Sequence, residues 1–232
     1  MLINVKGEFD VTTDMVCADY SFLNLASLST AFDFPQQDIK YLCDGMLLSA
    51  LFSILTLHKV RRFSFDFTSI ADPVFRTCEN NGLRVFFVGG KDAELERFID
   101  KIKKRYPLLN ISGSSDGYFT KRRREQVIEE IISSDSEVLI ASLGAGIQED
   151  FLRDVRCNGF QGVGFTSGGF IRQESSTSTN YYPVWVDVLK LRAFYRMYKE
   201  HHTIKRYLIS YPVNCFRLFF YVLSSKLKIR IM

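Results

Sequence analysis

Histidine is scarce in this chain of 232 residues: His58, His201 and His202 are the full complement, and no cluster of acids accompanies them. A structural or catalytic metal site is therefore not expected. Cys17, Cys43, Cys78, Cys157 and Cys215 are scattered, odd in number and never spaced CxxC. They read as reduced thiols of a cytoplasmic protein, not as a disulfide or zinc framework. The opening residues, MLINVKGEFD, lack a charged region followed by an apolar core, so no secretory signal is visible. Long apolar runs are missing too. The longest, Met46 to Leu57, contains Ser49, Ser53 and Thr56 and is too short to span a bilayer. Repeats and low-complexity segments are absent, and an apolar content of 47% with 24% charged residues excludes wholesale disorder.

Acid is what the end of the chain lacks. From Lys190 to Met232 ten Lys/Arg face one acid, Glu200, a balance of +9 that leaves −5 for the rest of a chain whose total is +4. Aromatics such as Phe194, Tyr195, Tyr198, Tyr207, Tyr211 and Phe216 interleave with that charge. Such asymmetry marks a surface that meets a polyanion or an anionic membrane. The tail also groups Leu208, Ile209, Leu218, Phe219, Phe220, Val222 and Leu223 among its basic residues. That composition suits an interfacial helix better than a stacking platform for single-stranded nucleic acid. An anionic membrane is the expected partner, nucleic acid is not, and a homo-oligomer that buries the apolar tail is a further possibility.

The middle of the chain alternates strands and helices. Leu83–Val88 is a β-rich run stopped by Gly89-Gly90, and Asp92–Arg105 has helical spacing with Leu95, Phe98, Ile99 and Ile102 on one face. After Pro107, Leu109–Ser112 reads as a strand and Lys121–Ser134 as a helix. Val138–Leu143, Gln148–Arg156 and Gly162–Thr166 continue the pattern as strand, helix and strand. Ile39–Cys43 is a strand leading into Asp44-Gly45, and Gly45–Leu57 is a helix apolar almost all round, hence expected to be buried. This is the pattern of an α/β, Rossmann-like, mostly parallel sheet with helices on both faces. Ligands in such sheets sit at the carboxyl ends of the strands, which singles out the loops Gly89–Asp92, Gly113–Phe119, Gly144–Glu149 and Thr166–Phe170.

Single motifs remain ambiguous. Asp44 has two compatible readings, an N-cap for the following helix and a general base at the crevice floor. Gly89-Gly90-Lys91 matches neither a P-loop nor the GxGxxG fingerprint. Ser115-Asp116-Gly117 is first of all a turn. Gly144-Ala145-Gly146 followed by Gln148-Glu149 suits the hydroxyls of a sugar or nucleotide. Arg61-Arg62, taken alone, is a solvated pair.

Read together, the segments SFLN (21–24), DG (44–45), RRFSFD (61–66), VFFVGGK (85–91), KRYP (104–107), GSSDGYF (113–119), SLGAGIQE (142–149), TSGGF (166–170), YYPVWVDVLKLRAFYR (181–196) and KRY (205–207) resemble the WecG/TagA/CpsF family of bacterial glycosyltransferases (glycosyltransferase family 26). The resemblance runs from about Ser21 to about Tyr207. It implies an inverting, metal-independent hexosyltransferase without a cofactor. The donor would be a UDP-sugar carrying an N-acetylmannosamine-like or other hexose, and the acceptor a polyprenyl-diphosphate-linked sugar of bacterial surface polysaccharide synthesis. Asp44 would be the base, with Ser21, Asn24, Gln148 and Glu149 around the substrates. Arg61 (or Arg62), Arg192, Arg196 and Arg206 would face diphosphate. Gly146 and Ile147 replace the family's usual proline and basic residue, and 173–180 is unusually rich in Ser and Thr.

The resemblance divides the chain into a core, 1–189, and a C-terminal helical, membrane-associating appendage, 190–232, that closes the site and docks on the inner face of the cell membrane. Deleting the appendage should then leave a folded core without turnover. The competing reading is a non-catalytic nucleotide-binding module docked by the same tail.

Overall fold

The structure is a computed structural model describing residues 2–33, 39–189 and 191–232, apart from the side chains at 33, 184, 187, 202 and 206. Its strands are β1 (Leu2–Val5), β2 (Ala18–Leu23), β3 (Ile39–Cys43), β4 (Val85–Gly89), β5 (Ile111–Ser115), β6 (Val138–Ser142), β7 (Val163–Thr166) and β8 (Lys228–Ile231). The chain forms two units. One comprises Met1–Glu8, Leu23–Phe63 and Tyr182–Met232, the other Phe9–Phe22 and Ser64–Tyr181.

In the unit containing Ser64–Tyr181 the strands run parallel in the order β5-β4-β6-β7-β2. Alternation along β4 sorts its side chains onto two faces. Phe86 and Val88 pack with Val127, Ile128 and Ile131 of helix Lys121–Ser133 and with Phe151, Leu152 and Val155 of helix Ile147–Cys157. Phe87 meets the opposite layer, with ring centroids 5.3 Å from Phe98 and 5.9 Å from Phe75. Phe170 extends that layer, 5.4 Å from both Phe98 and Phe65. Such ring pairs add roughly 0.5–1.5 kcal/mol each beyond the burial of their area. Helices thus cover both faces, as a parallel sheet of apolar strands requires. The strand expected at Leu109–Ser112 runs instead over Ile111–Ser115, because the Leu109 N–H closes a turn onto the Tyr106 carbonyl.

The other unit pairs β3, β1 and β8 in that order, all parallel, with Val5 opposite Tyr41 and Ile3 opposite Ile229. Its core joins Ile3, Val5, Leu23, Tyr41, Leu48 and Phe52 to Leu218 and Leu227. Two expectations change here. Helix Met46–Thr56 is not buried all round: Leu48, Ser49 and Phe52 face inward, while Met46, Leu47 and Ile54 are exposed. A continuous apolar sequence conceals which stripe packs, since a helix of this length presents only one face to a neighbouring layer.

The second change concerns the tail. Residues 191–232 are largely helical, as expected, over Arg192–Lys199 and Tyr211–Leu223. They do not stand apart from the fold, however. β8 pairs with β1 along its length, Leu218 is fully buried, and the Asn214 amide donates to the Leu25 carbonyl at 2.7 Å. Deleting 190–232 therefore opens a core and removes a strand, and it cannot serve as a neutral truncation. Leu218→Ala should lower the stability of this unit by about 2–5 kcal/mol, the usual range for emptying a buried leucine site. Urea unfolding measures it, and an unchanged midpoint would contradict the packing described.

Candidate active site

At the carboxyl ends of β6, β7 and β2 a polar network fills the loops singled out by their glycines. Gly89 has φ 141°, and a Cβ there would overlap the Ser142 carbonyl, so only glycine lets β4 and β6 end this close together. The Ser142 hydroxyl donates to the Gly168 carbonyl at 2.7 Å, tying the end of β6 to the turn after β7. Gly146, at φ 90°, precedes helix Ile147–Cys157.

The Glu149 carboxylate, 2% exposed, gathers these pieces. One oxygen accepts from the Ser21 hydroxyl at 2.6 Å and from the Gln148 amide at 3.2 Å, and the other accepts from the Gly146 N–H at 2.7 Å. Gln148 in turn accepts from the Gly168 N–H at 3.1 Å, and the Thr166 hydroxyl donates to Ser21 at 3.3 Å. Ser21, Gln148 and Glu149 are thus brought together as expected. Thr166 and Ser142 join them; both open sequence blocks that the motifs marked, but neither was given a role there. A buried carboxylate with several donors shapes a loop more than it reaches for a ligand.

The second cluster lies in the other unit, at the carboxyl end of β3. Asp44 follows Cys43 directly, and its N–H donates to the Leu23 carbonyl at 2.6 Å. The N-cap position falls on Gly45, one residue after Asp44, so Asp44 is not the N-cap residue the sequence offered. Its carboxylate instead meets Arg62, Oδ1 to Nη2 at 3.5 Å. Cys43 bridges to Arg62 and the Phe63 N–H donates to the Cys43 carbonyl at 2.8 Å, which sets this register. Arg61, one residue earlier, points elsewhere and pairs with Glu8 at 3.3 Å. Of the two arginines it is Arg62 that shares a site with Asp44. Asn24 lies beside Gly45, and its side-chain oxygen accepts from the N–H groups of Ala26 and Ser27 at 2.9 and 3.1 Å.

Arg196 lies in the field of Asp44. Burial opposes its charge, but Tyr182, Glu200, Tyr207 and Asp44 outweigh burial and hold its proton affinity above the ordinary arginine level. The Tyr207 and Tyr211 rings meet at a tilt with centroids 4.8 Å apart, and burial, with Tyr207 and Asp44 adding to it, pushes the Tyr211 phenol upward. The Arg192 guanidinium lies 4.6 Å from the centre of the Tyr182 ring. Tyr182, Tyr211 and Glu200 were not anticipated as site residues, although Glu200 stands out as the lone acid of its segment. The side chain of Arg206 lies outside the described residues.

A carboxylate and arginines gathered at a strand's carboxyl end, in a parallel α/β frame, make the arrangement of a group-transfer enzyme. Sequence comparison names the class. Residues 23–228 match the glycosyl transferase WecG/TagA/CpsF family, and the chain belongs to that family. Among its relatives is the UDP-Gal:alpha-D-GlcNAc-diphosphoundecaprenol beta-1,4-galactosyltransferase of Shigella boydii, 33% identical over 177 residues that cover 76% of this chain and 74% of that protein. The family match continues beyond Tyr207, where the sequence blocks end, through helix Tyr211–Leu223.

Glu149→Gln puts an amide donor against the Ser21 hydroxyl or the Gly146 N–H. It should cost about 1–3 kcal/mol, the range for a buried polar partner left unsatisfied. A urea midpoint equal to that of the unaltered protein would show that the network does not hold these loops.

Proposed function

We propose that this glycosyltransferase moves a hexose from a UDP-sugar to a sugar carried on a polyprenyl diphosphate, with inversion and without a metal or other cofactor. The Shigella boydii relative, whose name specifies a UDP-linked donor and a diphosphoundecaprenol-linked acceptor, carries the reading of substrate class. The meeting of Asp44 with Arg62 and Arg196 supports the reading of mechanism.

In the reaction an acceptor hydroxyl gives its proton to an Asp44 carboxylate oxygen as the hydroxyl oxygen attacks C1 of the donor sugar. The bond between C1 and the β-phosphate oxygen breaks on the opposite face, and UDP departs with the bonding electrons. Arg62, Arg192, Arg196 and Arg206 supply positive charge to that departing diphosphate. The Asp44–Arg62 contact is half in solvent, with side-chain exposures of 30% and 24%, and pairs of that kind stabilise a fold by about 0–1 kcal/mol. Its value lies in placing charge. Ser21, Gln148 and Glu149 shape the loops at the strand ends of their own unit, and Asn24 lies beside Gly45 in the unit of Asp44.

The acceptor is anchored in lipid, and the tail offers a surface for reaching it. Val213, Phe216, Phe220 and Leu223, all exposed, recur at alternating spacings of three and four and so form one stripe of helix Tyr211–Leu223. Leu218 and Asn214 occupy the inward side of the same helix. An apolar stripe with Arg217, Lys226 and Lys205 nearby in sequence suits insertion at an anionic bilayer surface. Among the described residues no helix is long and apolar enough to cross a membrane. The proposed location is peripheral, on the membrane's cytoplasmic face.

Two outcomes are expected. Asp44→Asn should abolish release of UDP from a UDP-sugar and a synthetic lipid-diphosphate sugar, while UDP still binds in calorimetry; full activity would falsify the base assignment. Phe216→Ser with Phe220→Ser should remove retention on anionic vesicles in a flotation assay and leave the unfolding midpoint intact. Wild-type flotation of that double variant would sink the docking stripe.

A further inference from the structure

Glu200 is held by its backbone. Its N–H donates to the Arg196 carbonyl at 2.7 Å, at the end of helix Arg192–Lys199. Fully buried Thr203 grips the Glu200 carbonyl twice, through its N–H at 2.8 Å and its hydroxyl at 2.7 Å. That clamp holds the backbone of Glu200, and its carboxylate, 10% exposed, lies 3.8 Å from Arg196 Nε. The separation gives strong attraction in a poorly solvated place but exceeds hydrogen-bond length. Arg196 Nε is buried and has no hydrogen-bond partner. The guanidinium is therefore balanced in charge while a donor of its fork remains unsatisfied. A phosphate oxygen accepts from such a fork directly, and a carboxylate kept at 3.8 Å does not.

We propose that Glu200 is a positioning residue for Arg196, a resident counter-ion that holds the guanidinium in the empty site and yields it to the diphosphate of the donor or of departing UDP. This rests on the reading of Arg196 as a diphosphate ligand. With diphosphate bound, the Glu200 carboxylate faces a second anion across the same cation, and that repulsion favours release. The residue thus lowers affinity for UDP and shortens its stay. The one acid in a segment otherwise rich in Lys and Arg keeps the product from being trapped by the charge that stabilises it.

The test is calorimetric titration of the full chain with UDP, and with uridine as a probe lacking phosphate. Glu200→Gln should bind UDP about three- to tenfold more tightly, the change expected when a partly desolvated ion pair stops competing. Glu200→Asp, which keeps the charge but draws it back from Arg196, should tighten UDP by a smaller factor. Uridine affinity should stay constant throughout, and the gain should vanish in an Arg196→Gln background. In turnover, Glu200→Gln should lower KM and kcat together, a split that mere loss of structure does not produce. UDP affinity equal to or weaker than wild type in both folded Glu200 variants overturns the inference. If Arg196→Gln alone leaves UDP affinity unchanged, the assignment of Arg196 to the diphosphate fails first, and the role of Glu200 falls with it.

Discussion

A cation removed from water must be balanced where it stands, and in the unit that carries Asp44 this constraint falls on Arg196. Its surroundings come from distant parts of the sequence: Asp44 from the end of β3, Tyr182 from the YYP block, Glu200 and Tyr207 from the tail. Each of these segments is fixed by apolar packing elsewhere in the same unit. Leu48 and Phe52 anchor the helix after Asp44, and Leu218 and Leu227 anchor the chain beyond Tyr207. The electrostatic cluster therefore needs the core to hold it, and the core needs the tail. This explains why a segment that looks detachable by composition is part of the folded body.

The Glu149 network works by a different principle. Its charge meets the Ser21 hydroxyl, the Gln148 amide and the Gly146 N–H, none of them a cation. Such a carboxylate is stabilised by directed donors and determines loop shape closely, because each donor has one orientation that fits. Glycines at 89 and 146 give the loops the backbone freedom to converge on it. Arg196 keeps an unsatisfied donor, whereas Glu149 spends its acceptors on the protein itself.

Much of the parallel frame was legible because buried strands between glycine turns leave a plain trace, as VFFVGG and VLIASLG do. What sequence could not decide were choices between neighbours. Arg61 and Arg62 are chemically identical, and only the bridge between Cys43 and Arg62 turns the second toward Asp44. Asp44 and Gly45 compete for one capping position, and the helix start settles it in favour of glycine. In Tyr211–Leu223 nearly every position is apolar, so exposed face and core face look alike until Asn214 and Leu218 are seen to point inward. Glu200 carried a signal, its isolation, but no motif assigned it a partner. The order of the family blocks tied the segments to one class of enzyme, and the match across residues 23–228 carries that class into the tail.

The two-sided character of helix Tyr211–Leu223 has a practical edge for anyone preparing this protein. Trimming a sticky terminus is the usual route to a well-behaved sample, and here it would strip β8 and the buried Leu218 from the fold. Detergent would coat the exposed Phe216 and Leu223 while competing for the same core. Surface redesign restricted to Val213, Phe216, Phe220 and Leu223 separates the two demands, because these side chains face solvent while Leu218 and Asn214 face protein. Solubility and foldedness can then be adjusted independently on opposite sides of one thirteen-residue helix.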